Sequence, residues 1–300
     1  MGKQTITAGI STPTRLALDA LGNLYVVNTS DVTVYAPTTT SVLRTVSGVP
    51  ILIDASGWFY NTWESSFRAC LYRACALVFH FGLSASAPYP STQTQQITLW
   101  SCGGVFHIRC PGFGGLALDR SQNVYAWDSS CPFICNNNFT NRFSVWAQGL
   151  ASSRTGFSES IMNIVAMAFD ASGMRYEDDG SVISEYAPLS ATLVHTITGG
   201  ISSSTTLAVD NSNNLYVANG SGPSITVYAP GQTSVLRTIT KGITAPKKLG
   251  FDRFNNLYVL NGPSSGYANG SVSIYAPGAI SPSQVITGGI YNPTDMVVQP

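Results

Sequence analysis

The densest charge in the chain is the acidic run Glu177, Asp178 and Asp179. Adjacent carboxylates repel one another unless a cation or a basic partner neutralises them, and hard oxygen ligands suit Ca²⁺. Glu177 and Asp178 are therefore candidate metal ligands. The run lacks the spaced ligands of a dedicated calcium loop, and an exposed acidic turn explains the same residues. Ca²⁺ is the one cofactor that the sequence suggests, and otherwise none is predicted.

A second group of candidates closes short apolar runs. Polar residues end such runs at Asn28, Thr62, Asp128, Asp178, Asn219 and Asn261. If the runs are neighbouring strands, these side chains converge on one rim that binds a ligand. The candidate binding residues are Asn28, Asp128, Asp178, Asn219 and Asn261. The alternative is that each side chain caps its own strand through local hydrogen bonds, and the sequence leaves both interpretations open.

Two cations share one place in the sequence pattern. Arg15 and Lys248 each lie four residues before an aspartate that ends an apolar run. Side by side, a guanidinium and an ammonium group form a site for an anion or a carboxylate, which makes both of them candidate binding residues. Asp295 holds the same place in a further copy of the pattern. A pairing of the cations with Asp295 is the alternative.

The six cysteines fall as three close pairs, Cys70 with Cys75, Cys102 with Cys110 and Cys131 with Cys135. Each pair lies in a stretch that interrupts the repeated pattern, where a short covalent loop would tie down unsupported chain. Their spacings match no usual zinc motif. Six cysteines allow many connectivities, of which sequential pairing is the simplest. We expect disulfides, and with them an extracellular or cell-surface location.

Composition narrows the class of partner. Lys+Arg and Asp+Glu number 15 each and the net charge is zero, so we expect no nucleic-acid partner, which would require a basic stripe. No apolar run approaches the roughly 20 residues that span a bilayer. The N-terminus has no signal-peptide core. It fits either a cytosolic protein or a mature or excised fragment, and the cysteines favour the second.

Nucleophilic catalysis finds little support in the sequence. The three histidines are His80, His107 and His195. The chain has no Gly-x-Ser-x-Gly elbow, no Gly-rich phosphate loop and no His-Glu-x-x-His motif. A triad assembled from distant parts of the chain is invisible at this level. The sequence favours a protein without catalytic activity and leaves an enzyme as the alternative.

One pattern, written six times, supplies the elements that position these residues. Its copies are marked by aspartates that end a first apolar run, at Asp19, Asp54, Asp119, Asp170, Asp210 and Asp252. Each aspartate is expected to accept backbone N–H groups in a turn. A second run, a third run and a fourth run follow, and the cleanest copies are spaced 40 and 42 residues apart.

Four strands per copy at this period predict an all-β fold, a six-bladed β-propeller of four-stranded antiparallel blades. We expect one domain over 1–300, with blades at about 14–47, 48–100, 114–150, 164–198, 205–240 and 247–288. Surplus strands at 3–8 and 292–299 are expected to take part in ring closure, by exchange or as a stunted seventh blade. A monomer, or a module of a longer repeat protein, fits this layout.

The clearest copies read PTRLALDALGNLYVVN at 13–28 and PKKLGFDRFNNLYVLN at 246–261. They resemble the NHL-repeat β-propellers, and the resemblance extends in register over nearly the whole chain. Bacterial propellers of this type often serve as rigid interaction platforms. The resemblance therefore implies a non-enzymatic scaffold that binds a protein, a peptide or a glycan.

Insertions at 65–95, 101–112 and 129–141 interrupt the second and third copies. We expect these inserted loops to form the contact surface, because recognition usually lies on loops that a rigid scaffold holds. The repeat layout is also similar to that of gluconolactonase-like and streptogramin-lyase-like propellers. That similarity keeps a metal-dependent hydrolase or lyase with a site at the channel mouth as the alternative, with Asp128, Asp178 and Asn219 as its candidate ligands.

Overall fold

The computed structural model describes residues 5–48, 50, 52–71, 74–88, 94–104, 112–130, 140–159, 164–263 and 269–298. These residues form six four-stranded antiparallel sheets, and in every sheet the strands lie in chain order. The predicted fold class, an all-β six-bladed propeller, is confirmed. No helix in the described part of the chain is long and apolar enough to cross a membrane.

Each sheet is one blade, numbered in chain order. Blade 1 comprises β1 (Arg15–Leu18), β2 (Leu24–Val27), β3 (Asp31–Tyr35) and β4 (Val42–Ser47). Blade 2 comprises β5 (Leu52–Ile53), β6 (Phe59–Leu71), β7 (Ala74–Ser86) and β8 (Thr94–Gly104). Blade 3 comprises β9 (Gly112–Leu118), β10 (Val124–Ser130), β11 (Thr140–Trp146) and β12 (Ser153–Glu159), with a 3-10 turn at Gln148–Leu150.

The second half of the chain is more regular. Blade 4 comprises β13 (Ala166–Phe169), β14 (Arg175–Asp178), β15 (Ile183–Tyr186) and β16 (Leu193–Ile197). Blade 5 comprises β17 (Ser204–Val209), β18 (Leu215–Asn219), β19 (Ser224–Tyr228) and β20 (Val235–Ile239). Blade 6 comprises β21 (Pro246–Phe251), β22 (Leu257–Asn261), β23 (Ser271–Tyr275) and β24 (Gln284–Ile286).

The chain divides into two compact units. One unit holds blades 1, 4, 5 and 6, and the other holds blades 2 and 3. In the first unit, all five residues of β18 are buried, because neighbouring sheets cover both faces of the strand. This double burial explains why the second strands read as continuous apolar runs rather than as an alternation of apolar and polar residues.

The repeated aspartates build the turns between first and second strands. In blade 5, Asp210 Oδ1 accepts the N–H groups of Ser212 at 2.8 Å and Asn214 at 2.9 Å. The backbone O of Asp210 accepts the N–H of Asn213, which lies at a φ of 61°. Asn or Gly suits that left-handed position. The turn interpretation of the repeated aspartates is confirmed.

The same turns also link neighbouring blades within a unit. Asn255 Oδ1 of blade 6 accepts the N–H of Asn211 in blade 5 at 3.0 Å. Asn213 of blade 5 accepts the N–H of Ala171 in blade 4 in the same way, also at 3.0 Å. In blade 3, Gln122 takes this role toward blade 2. An amide at the left-handed position therefore serves both its own turn and the preceding blade.

Blades 2 and 3 depart from the regular copies through longer strands. β6 and β7 are 13 residues each and β8 is 11, whereas β18 and β19 are five each. Much of the insertion expected as a loop at 65–95 is therefore strand. Aromatic and aliphatic residues dominate this stretch, and such residues favour the extended conformation when a partner strand lies alongside.

Candidate functional site

The asparagines that end second strands lie inside the protein. Asn28, Asn219 and Asn261 are at most 1% exposed. Ser202 N–H donates to Asn219 Oδ1 at 2.8 Å, and Asn219 Nδ2 donates to Gly200 O at 3.1 Å. Asn28 and Asn261 bond the segments that enter their own blades in the same manner. These bonds give the three side chains a structural task, and ligand binding by them stays a prediction.

The predicted equivalence of Asp178 to these asparagines is wrong, because the strand register places Asp178 one position earlier, at the place of Ala218. Asp179 takes the asparagine position in blade 4, and Asp178 makes different bonds. Its Oδ1 accepts the N–H of Gly180 at 2.8 Å and the hydroxyl of Ser204 at 2.6 Å. Its Oδ2 is buried and has no hydrogen-bond partner among the described residues. Burial raises the pKa of this carboxyl, the bonds from Ser204 and Gly180 lower it, and the neighbouring charge of Asp179 raises it. Asp178 thus joins blade 4 to the first strand of blade 5.

Glu177 belongs to a separate buried pair. Arg175 Nε donates to Glu177 Oε1 at 2.6 Å, and both side chains are fully buried. The guanidinium of Arg175 also lies 4.7 Å from the centre of the Tyr186 ring. Successive residues of a strand point to opposite faces, so the carboxylates of Glu177 and Asp178 have different surroundings. A metal-binding role for this pair stays a prediction.

Within the described ranges, no group of three or more His, Cys, Asp or Glu side chains is placed to hold a metal ion. Asp128 lies on β10, where its backbone pairs with Arg142 of β11. Its side chain is outside the described residues, and so are the side chains of Cys70, Cys75, Cys102, Cys110, Cys131 and Cys135. The β6–β7 register sets Cys70 directly opposite Cys75.

One of the two cations of the shared position pairs with Asp295. Lys248 Nζ lies 3.3 Å from Asp295 Oδ1, and the N–H of Leu16 donates to Asp295 Oδ2 at 2.9 Å. The predicted pairing of Lys248 with Asp295 is confirmed. Arg15 lines a cavity of about 600 Å³ beside Asp295, together with apolar side chains such as Val272 and Met296. An anion site formed by Arg15 and Lys248 stays a prediction.

Blade 4 also carries a polar pair that the sequence reasoning missed. In blade 5, Arg237 donates to the hydroxyl of Tyr216. In blade 4, His195 occupies the place of that arginine, and its Nδ1 lies 2.8 Å from Glu185 Oε2. Aligning the repeats would have revealed this pair. Arg237 faces Val227 in blade 5, whereas His195 faces Glu185 in blade 4. Both members of the facing pair therefore differ between blade 4 and blade 5.

Comparison with known proteins identifies the fold of the chain but no family. No protein-family model matches the chain, and no curated protein matches it. Among solved structures, the chain is similar to the crystal structure of the WD40 β-propeller domain of Doa1, with a TM-score of 0.60 and 14% sequence identity. The match covers 98% of this chain and 88% of that one. At this identity the likeness supports the propeller fold alone.

Proposed function

We propose that the protein is a non-enzymatic binding scaffold that recognises a protein, a peptide or a glycan through the enlarged blades 2 and 3. β-Propellers commonly serve as binding scaffolds, and the match to a WD40 propeller covers nearly the whole chain. The finer assignment, an extracellular or surface propeller of the NHL type, rests on the repeat pattern and the paired cysteines.

The observation that carries the proposal is the length of the blade 2 strands. At about 3.3 Å per residue, a 13-residue strand reaches roughly 43 Å, against about 16 Å for a strand of five residues. The regular blades form their turns and their hydrogen bonds to neighbouring blades with short strands, so this extra length is not needed for either. Chain that a rigid scaffold holds beyond its own core is where recognition usually lies.

The polar residues of the regular blades support this assignment. Asn219 and Asp178, two of the three candidate ligands of a metal-dependent hydrolase, are buried and bonded within the scaffold. The third, Asp128, has its side chain outside the described residues. Nothing in the described part of the chain favours the hydrolase or lyase, so we propose the scaffold alone.

Shortening the blade 2 hairpin tests the proposal. The register pairs Ser65 with His80, so deleting 66–79 and joining the ends through Asn-Gly keeps seven β6–β7 pairs, Phe59–Ser86 to Ser65–His80, and supplies a two-residue turn. Ligands are first selected on the intact chain from a glycan array and a displayed peptide library. The shortened chain is expected to keep its cooperative thermal unfolding and to lose these ligands.

A matched control is Leu236→Glu, an exposed position on the regular blade 5, which should bind every selected ligand normally. Equal binding by the shortened chain would refute the assignment to blade 2. If the shortened chain fails to fold, hydrogen exchange of the intact chain with and without ligand tests the same assignment of the binding surface to blade 2. Amides of β6, β7 and β8 should gain protection when the ligand binds.

A further inference from the structure

Blade 6 has one face that is less covered than the equivalent faces of blades 4 and 5. In blade 5, Tyr216, Ile225 and Val227 are 4%, 0% and 0% exposed. The register shows that Tyr258, Val272 and Ile274 take the same places in blade 6. All three are only half-buried. We call these three side chains the open face of blade 6.

The molecule itself shows what covers such a face. Tyr216, Ile225 and Val227 of blade 5 pack in one cluster with Leu257, Val259 and Tyr275 of blade 6. These covering residues belong to the second and third strands of the following blade. Blade 4 is covered in the same way by Leu215, Val217 and Tyr228 of blade 5. A hairpin of second and third strands is therefore the cover that fits.

Next to the open face lies a segment that has the sequence of a first strand but is paired with no described second strand. Residues 293–298 read PTDMVV, which aligns with PTRLAL at 13–18 and PKKLGF at 246–251. Asp295 bonds Leu16 of β1 and Lys248 of β21, and a Cβ added to Gly250 would come within 2.9 Å of Val298 Cγ2. β1 and β21 each pair with a second strand, whereas 293–298 pairs with no described strand.

The N-terminal residues supply the matching fourth-strand element. Ile6 aligns with Ile197 and Ile239, which close the fourth strands of blades 4 and 5 and are each 1% exposed. Ile6 is only half-buried. The Tyr35 hydroxyl donates to Ala8 O, as the Tyr228 hydroxyl donates to Gly199 O. Residues 293–298 and the segment around Ile6 thus resemble a first and a fourth strand, and no described residues take the places of the second and third strands between them.

We propose that the open face of blade 6 binds a β-hairpin of another polypeptide, whose two strands take the places of second and third strands beside residues 293–298. Apolar side chains at alternate positions of the hairpin would pack on Val272, Ile274 and Tyr258. The cavity of about 600 Å³ between these elements, lined by Leu260, Val272, Ile290 and Met296, is the space that such side chains enter.

The expected backbone pairing identifies one amide. Asp252 N–H donates to Asn256 O, and hydrogen-bonded pairs recur at every second residue of an antiparallel ladder. Gly250 and Tyr258 are therefore a hydrogen-bonded pair, since they are the next such pair along the strands. Val297 aligns with Gly250. Its N–H is the group that should bond the incoming second strand.

The test uses the full chain and a synthetic peptide of residues 213–228, which is the second-strand and third-strand hairpin of blade 5. Binding of the fluorescent peptide is followed by anisotropy, with a scrambled peptide as the reference. We expect saturable binding of the native peptide only. Val272→Glu should weaken it at least about tenfold, because a carboxylate would be buried without a partner. Leu236→Glu, on the exposed surface of blade 5, should bind normally.

A second variant pair guards against a folding defect of Val272→Glu. Val297→Pro removes the N–H while Val297→Ala keeps it, and only the proline variant should lose about threefold to tenfold in affinity. Native and scrambled peptides that bind alike, or proline and alanine variants that bind alike, would overturn the proposal. Self-association of the chain that Val272→Glu abolishes would assign the face to a second copy instead, and would also overturn it.

Discussion

The polar residues at the ends of second strands have different roles in different blades. Asn28, Asn219 and Asn261 offer an acceptor and a donor, and both are used to hold the segment that enters the blade. Asp178 lies one position earlier in the second strand of blade 4 and carries a carboxyl group instead of an amide. Its Oδ1 bonds Gly180 and Ser204, and its buried Oδ2 has no hydrogen-bond partner among the described residues. A carboxyl in that setting resists ionisation because burial disfavours the charged form.

Replacing Asp178 with Asn should therefore change stability in a pH-dependent way. The native pKa of Asp178 is raised, chiefly by burial. Below the pKa of about 3.9 that an unfolded aspartate has, Asp178 is protonated in both the native and the unfolded state. The cost of burying its charged form is therefore absent. The penalty appears as pH rises through the native pKa. The free energy of unfolding of Asp178→Asn, relative to the parent, should therefore increase between pH 3.5 and about pH 7.

The measurement is urea unfolding of both proteins across that pH range. Asp179→Asn is the matched control, because it removes a neighbouring charge that lies in the exposed turn. Its effect should vary less with pH than that of Asp178→Asn. A constant difference between Asp178→Asn and the parent at every pH would show that Asp178 is ionised in the native state at no cost.

At the scale of elements, the turns after the first strands join the blades. The left-handed position holds Asn or Gln in blades 3, 5 and 6, and each amide reaches the preceding blade of its own unit. Blades 1, 2 and 4 have Gly22, Gly57 and Gly173 at this position. Glycine suits the backbone of this turn but has no side chain to form the link.

Removing one link should therefore weaken the fold measurably. Asn255→Gly is expected to lower the free energy of unfolding by about 0.5–1.5 kcal/mol, the typical net value of one hydrogen bond. Asn255 has a φ of 64°, which glycine adopts without steric cost, and this gain partly offsets the loss of the hydrogen bond. Asn255→Gln is the matched control, because Gln122 forms the same link in blade 3. Equal stability of the glycine and glutamine variants would contradict the assigned role.

The sequence predicts these elements well where the repeat is regular. Short apolar runs bounded by Asp, Asn and Pro identify the four strands of blades 1, 5 and 6, and the clearest runs are the second strands, which are almost wholly buried. The lengths of β6 and β7 were not predicted, since an insertion without the repeat pattern looks the same as a loop. The fourth strand of blade 3, Ser153–Glu159, also escaped prediction because it lacks the apolar pattern of the other copies.

The candidate site was harder to predict than the fold. Residue type and position identified Asp178 and Asn219 as polar side chains at strand ends. They did not reveal that both are buried, since burial depends on neighbouring segments. The pairing of Lys248 with Asp295 was predictable, because both residues hold the same place in copies of one pattern. The buried pair of Arg175 and Glu177 involves residues that no other blade shares.

At the scale of the whole molecule, the regular and the irregular blades use their residues differently. The blades that follow the repeat most closely use their polar groups for turns, links and entry segments. The departures are the long strands of blades 2 and 3 and the open face of blade 6. We propose that recognition is left to the parts that the repeat does not specify, which is the central claim for this protein.

Hydrogen exchange with mass spectrometry, on the intact chain with a ligand selected from the glycan array or peptide library, tests that claim most directly. Binding should slow exchange in β6, β7, β8 and the strands of blade 3, while β18 and β22 should exchange as before. Blades 2 and 3 could instead stay unchanged while residues around Asn28, Asn219 and Asn261 gain protection. That result would contradict the proposal and would assign the binding site to the ends of the second strands.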